Sequence, residues 1–212
     1  MLNAPNPFSE LLPELLIATH NHGKLEEWQN LLAGLPLTLR TLHDYPACPE
    51  AIESGATFAA NARIKAGFYR DYTRLSTLAD DSGLEVRALD NAPGVFSARY
   101  GDADFTDAER SRFLLAQLRD VPTNERTARF VCVIVLAAAS SSNHVETFSG
   151  VCEGSIAVSP RGTHGFGYDP IFIPDNHTQT FAELDAEIKN RISHRARAAR
   201  RVRDYFQSNT LR

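Results

Sequence analysis

The sequence is poor in the features that would place it in several large protein classes. It has three cysteines, Cys48, Cys132 and Cys152, an odd count with no CxxC pair. That argues against a disulfide scaffold and fits buried thiols in a reducing cytoplasm. No run reaches the roughly 18 apolar residues that a membrane-spanning helix needs, so no membrane association is expected. Basic residues are not in excess: the formal net charge is -4, whereas a general binder of nucleic acid or anionic membrane carries a broad basic face. The opening stretch MLNAPNPFSELLPELL has no basic n-region and no long apolar h-region. It reads as a short extension over residues 1–14, without a signal peptide. The phosphate-loop pattern GxxxxGK[ST] is absent, as are internal repeats and low-complexity tracts.

What is present is a chain of 212 residues, 43% of them hydrophobic, enough for one sizeable core or two lobes sharing a sheet. Its centre of interest is LADDSGLEV, residues 78–86. Thr77, Leu78 and Ala79 lead into Asp80, Asp81, Ser82 and Gly83, and the chain returns to Leu84 and Val86. Two adjacent acids at the edge of a core stay ionised cheaply only if a cation or a ring of donors faces them. Magnesium, which takes one or two carboxylates plus phosphate oxygens, suits such a place. The same four residues are also turn formers, and on this stretch alone both readings stand.

The flanking segments alternate strand and helix. Leu15–Thr19 reads as a buried strand, followed by the polar loop Thr19-His20-Asn21-His22-Gly23-Lys24 and a helix on which Leu25, Trp28, Leu31 and Leu32 recur at helical spacing. Strand, polar loop and helix present backbone N–H groups to an anion, or form an ordinary strand-to-helix turn. A second short strand spans 37–42. Thr57 caps a helix to about Tyr72, on which Asn61 and Lys65, four apart, share a face. Residues 90–102 form a turn-rich loop, and Thr106 caps a helix bearing Phe113, Leu114 and Leu118. The segment 130–136 is a continuous apolar strand, and 145–158 a longer, bent one with Gly150 and Gly154 as bulge points, joined by a turn over 140–144. In PRGTHGFGYDPIFIP, residues 160–174, glycines flank Phe166, which suits stacking on a flat base or packing in a core. A helical segment is expected from about Thr180 to Asn190, and Ser193-His194-Arg195 then leads into a basic helix. Its Arg197, Arg200, Arg201 and Arg203 are solvated or face a partner.

Taken in order, ATHNHGK (18–24), ESGATFAANARIKA (53–66), LADDSGLEV (78–86), APGVFSARYGD (92–102), GTHGFGYDPIF (162–172) and TFAELDAEIKNRISHRARA (180–198) closely resemble the inosine triphosphate pyrophosphatase family. The resemblance covers residues 15–205 as one catalytic domain, leaving the extension 1–14 and a tail 206–212. It implies an α/β fold, an elongated mixed sheet flanked by helices with two lobes around a cleft, usually a homodimer in the cytoplasm. It implies Mg²⁺-dependent hydrolysis of inosine, deoxyinosine and xanthosine triphosphates to the monophosphate and pyrophosphate, with no nucleic-acid partner. By that pattern Thr19, His20, Asn21, His22, Gly23 and Lys24 hold the triphosphate and Lys65 joins them, Asn61 is a substrate contact, and Glu53, Asp80 and Asp81 hold the metal, Asp81 being also the catalytic acid/base. Ser82, Phe166, Gly167, Tyr168, Asp169, Lys189, His194 and Arg195 meet the rest of the substrate. Many relatives carry an acid just before the asparagine of the second motif, where this chain has Ala60; Glu53 and Asp81 are therefore the preferred ligands. A Maf-like pyrophosphatase would share the fold, but the SHR and GFGYDP stretches speak against it.

Overall fold

A computed structural model describes residues 14–139 and 144–210. The expected extension, apart from Glu14, and the expected turn over 140–144, apart from His144, lie outside the described residues. Six strands, β1 (Glu14–Ile17), β2 (Thr38–Thr41), β3 (Ser76–Val86), β4 (Thr127–Ala137), β5 (Val145–Ile156) and β6 (Phe172–Pro174), form one sheet in the order β2-β1-β3-β4-β5-β6. β1 runs parallel to β2 and to β3, and β5 runs antiparallel to β6, so the sheet is mixed. The helices are α1 (His22–Leu31), α2 (Phe58–Thr73), α3 (Asp107–Gln117), α4 (Ala186–Ile192) and α5 (His194–Thr210). This is the α/β class expected from the sequence. No described helix is long and apolar enough to cross a membrane.

The chain divides into two compact units. The first takes the residues up to Asp81, Val133–Ser149 and those from Ala198 on; the second takes Ser82–Cys132 and Gly150–Arg197. In the first, Leu16 from β1 and Ala18 just after it, Ala62, Ala66 and Tyr69 from α2, Ala79 from β3 and Val135 and Ala137 from β4 form a core. The small residues of α2 let that helix lie close to the sheet. In the second, Phe130, Phe172 and Phe181 pack within 4.7–6.1 Å of one another, centroid to centroid, at distances where aromatic pairs add to plain burial.

Local signals were read correctly where capping chemistry is strong. Thr57 accepts from the Ala60 N–H at the start of α2, and Thr106 and Glu109 close a capping box on α3; Asn21, read only as part of the polar loop, likewise caps α1 by accepting from the Lys24 N–H. Elsewhere the structure differs. Asp80-Asp81-Ser82-Gly83 is no turn: β3 continues through all four, tertiary burial overriding their poor strand propensity. The strand containing Gly150 and Gly154 ends at Ile156, and Gly154 sits in regular register opposite Pro174 rather than at a bulge. The segment expected to be helical from Thr180 begins its helix only at Ala186, because Glu183 turns back to accept from the Thr180 N–H. α5 continues through most of the expected tail. Its arginines are engaged within the chain rather than left to solvent: Arg197 donates to the Val151 carbonyl, Arg201 to that of Ser149, and Arg203 to those of Leu31 and Ala33 at the end of α1.

All three cysteines are free thiols. Burial pushes the Cys152 thiol from the ordinary 9.0 up to about 11. An unfolded chain therefore loses this proton first, so the stabilisation is complete below pH 9 and disappears as pH rises toward 11. Urea midpoints at about pH 8 and about pH 10.5 should fall more for the wild type than for Cys152→Ala; parallel falls would remove Cys152 as the titrating group.

Candidate functional site

The first unit holds a cluster built around consecutive residues of β3. Successive side chains of a strand point to opposite faces, and here each acid meets a different helix. Asp80, 2% exposed, accepts from the Trp28 indole N–H at 3.1 Å and pairs with the Lys24 ammonium at 3.1 Å. Lys24 and Trp28 are four apart on α1 and so share one face of it. Asp81 accepts from the Asn61 amide at 3.1 Å and stands 3.8 Å from the Lys65 ammonium. Asn61 and Lys65 are likewise four apart, on α2. Two helices thus each offer an i, i+4 pair to one carboxylate.

Lys65 also pairs with Glu53 at 3.0 Å. Burial alone would lower the Lys65 ammonium, but Asp81, Asp80 and Glu53 together outweigh it and hold it above its ordinary value. The Asp81 carboxyl is raised, chiefly by burial, with Lys65 and Lys24 pulling it back and Glu53 pushing it further up. Asn61, fully buried, accepts from the Gly55 N–H at 2.7 Å with its other end. It therefore ties the loop carrying Glu53 to Asp81. Gly55 has no room for a side chain: a Cβ there would lie 2.7 Å from both Ala60 Cβ and Asn61 Oδ1.

The loop between β1 and α1 is ordered by its own side chains. Thr19 accepts from the Asn21 N–H, and Asn21 caps α1. The first turn of α1 contains no acid, so its N–H groups and positive dipole end are suited to an anion. His20 bonds the Tyr69 hydroxyl, which also accepts from the Ala51 N–H. His22 stacks on His43 at 5.3 Å. Trp28, which the sequence marks only as an apolar helix position, and Tyr69 join the site unannounced; their signal is a position four residues beyond Lys24 and Lys65.

Glu53 and Asp81 supply the hard oxygen donors that magnesium uses together with phosphate oxygens, and in that sense the residues fit such an ion. The expected trio does not form: among the described residues no group of three or more His, Cys, Asp or Glu could hold a metal by itself. The strand's alternation directs Asp80 to Lys24 and Trp28 instead.

The second unit gathers most of the other predicted residues. Phe166 is half-buried, with the Lys189 ammonium 4.8 Å and the Arg195 guanidinium 5.8 Å from its ring centroid. Asp169 accepts from the Phe166 N–H and pairs with Lys189. Gly165, at φ +76°, passes so close that a Cβ would fall 2.0 Å from Asp169 Oδ2. Asp107 accepts from the Gly167 N–H at 2.7 Å, anchoring the loop to α3. Arg195, 1% exposed, donates to Ser82 at 2.9 Å. His194 stacks on Phe130 at 4.7 Å, and Ser193 accepts from the Ala196 N–H at the start of α5. Tyr168 is placed otherwise than expected. It is buried, and its hydroxyl, raised by burial, donates to the Ser97 carbonyl. Its ring belongs to the core of the second unit.

A family model described as the Ham1 family matches residues 15–205. The chain is 47% identical over 195 residues to a dITP/XTP pyrophosphatase of Geobacter sulfurreducens, covering 92% of this chain and 97% of that one. It is 44% identical to the enzyme of that name from Halalkalibacterium halodurans, over 90% and 97% of the two chains. Among solved structures, a HAM1 protein from Coxiella burnetii superposes with a TM-score of 0.85 at 42% identity, over 93% of this chain and 100% of that one.

Asn61→Leu keeps the volume of the side chain but strands the Gly55 N–H and one side of Asp81. Urea unfolding should show a loss of about 1–3 kcal/mol, the usual penalty of buried polar groups left unmade. A loss within experimental error would mean that the Glu53 loop is held by other contacts.

Proposed function

The chain belongs to the Ham1 family, and from that premise we propose that it hydrolyses inosine, deoxyinosine and xanthosine triphosphates to the monophosphate and pyrophosphate, removing non-standard purines from the nucleotide pool. The observation that carries this reading is the buried grip of Asn61 and Lys65 on Asp81, beside a helix start carrying Lys24. The full-length similarity to dITP/XTP pyrophosphatases supports it.

Cleavage of a triphosphate is mainly positioning and charge neutralisation. The N–H groups at the start of α1, together with Lys24 and Lys65, take the phosphate charge. Glu53 and Asp81 would hold magnesium, which when bound balances phosphate charge and makes water a better nucleophile. Asp81 orients the attacking water and receives its proton; Asn61 fixes the carboxylate for that task. In the second unit Phe166 offers its ring to the purine, with Lys189 and Arg195 beside it. A 6-oxo purine carries an acceptor where adenine carries a donor, so the donors Arg195 and Lys189 favour the former. The enzyme works on free nucleotides, in keeping with its acidic balance and free thiols, and as a cytoplasmic homodimer.

The deciding experiment measures pyrophosphate and orthophosphate separately from inosine, xanthosine and adenosine triphosphates, with magnesium and with a chelator. Pyrophosphate from the 6-oxo nucleotides, abolished by the chelator, is expected; orthophosphate alone would refute the reading. Asp81→Asn should lower turnover by about 10²–10⁴-fold while retaining most nucleotide affinity by calorimetry, and an active variant would exclude Asp81 from the chemistry. Arg195→Ala should narrow the preference for inosine over adenosine triphosphate, by up to roughly a hundredfold; an unchanged ratio would put base recognition elsewhere.

A further inference from the structure

Trp28 is the single tryptophan of the chain, and it is wholly buried. A buried indole must place its N–H on an acceptor, and here the acceptor is a carboxylate, Asp80 Oδ1, at 3.1 Å. The other oxygen of that carboxylate holds Lys24, whose side chain keeps 16% of its surface exposed at the start of α1. The helix thus grips one anion with two residues a single turn apart, one a neutral donor and one a cation.

We propose that Trp28 is a positioning residue for phosphate capture: its indole N–H takes part of the Asp80 charge, so that Asp80 aims Lys24 without competing fully with an incoming phosphate for it. The inference rests on the pyrophosphatase reading of the same cluster. Its physical basis is that a hydrogen bond to a charged group is among the strong ones. If the N–H is removed, the buried carboxylate loses one of its compensating donors and leans more heavily on the Lys24 ammonium. Lys24 is then drawn back onto Asp80 and away from the ligand. The effect belongs to the phosphate end of the substrate, so base preference stays as it was.

Trp28→Phe retains a buried ring and removes the donor. It should raise KM for inosine triphosphate and the inhibition constant of inorganic pyrophosphate about tenfold, the size expected for losing one charged hydrogen bond. The kcat and the ratio of inosine to adenosine triphosphate turnover should be little changed. In a Lys24→Met background the same substitution should add almost nothing, because the residue through which Trp28 acts is gone. An equal, additive effect in both backgrounds would make Trp28 a packing residue only and overturn the proposal, as would a wild-type KM in Trp28→Phe. A second measurement needs no turnover. Inorganic pyrophosphate should produce a saturable change in the Trp28 emission of the wild type that Lys24→Met abolishes, and an unmoved emission under saturating pyrophosphate would also overturn it. If no nucleotide releases pyrophosphate, the pyrophosphatase reading fails by itself, while the emission titration still decides whether Trp28 senses a phosphate held by Lys24.

Discussion

Two neighbouring carboxylates buried in a strand are the constraint around which the first unit is built. An isolated charge in such a place is costly, and a like charge beside it makes matters worse. The chain meets this by letting strand alternation separate Asp80 from Asp81 and by setting a lysine from a different helix against each. Each lysine has a neutral donor four residues away, Trp28 or Asn61, on the same carboxylate. The loop before α1, the loop carrying Glu53 and the close approach of α2 through its alanines all follow from keeping these two grips intact.

The arrangement divides the labour between the acids. Asp80, closed in by Lys24 and Trp28, acts as a counter-ion. Asp81, beside Glu53 and Lys65, has a raised carboxyl because burial outweighs the lysines, a condition that suits a group asked to take up a proton. The second unit repeats the logic with one acid. Asp169 ties Lys189 to the turn carrying Phe166, so the ring presented by the glycine-rich loop is set beside two cations supplied by α4 and α5.

Much of this was legible beforehand. Helix caps at Thr57 and Thr106 depend on side-chain oxygens three residues from their partners, so local sequence suffices to read them. The pairing of Asn61 with Lys65 was visible for the same reason, as a four-residue spacing. Other features depend on contacts distant in sequence. Nothing local says that β3 continues through Asp-Asp-Ser-Gly, since those residues disfavour strands; the surrounding core imposes it. Likewise Arg201 and Arg203 look like a solvated basic face until Ser149 and the end of α1 are found beside them. Tyr168 looks like a ligand contact until its hydroxyl meets Ser97.

The sequence by itself determined the class of the fold, the family, and the stretches in which the chemistry resides, because periodicity, capping and motif order are properties of short segments. Tertiary structure alone decided which group each charged residue meets. Fifty-two residues separate Trp28 from Asp80, and twenty separate Asn61 from Asp81. Contacts over such distances depend on which helix packs against which side of a strand, and the sheet order determines that.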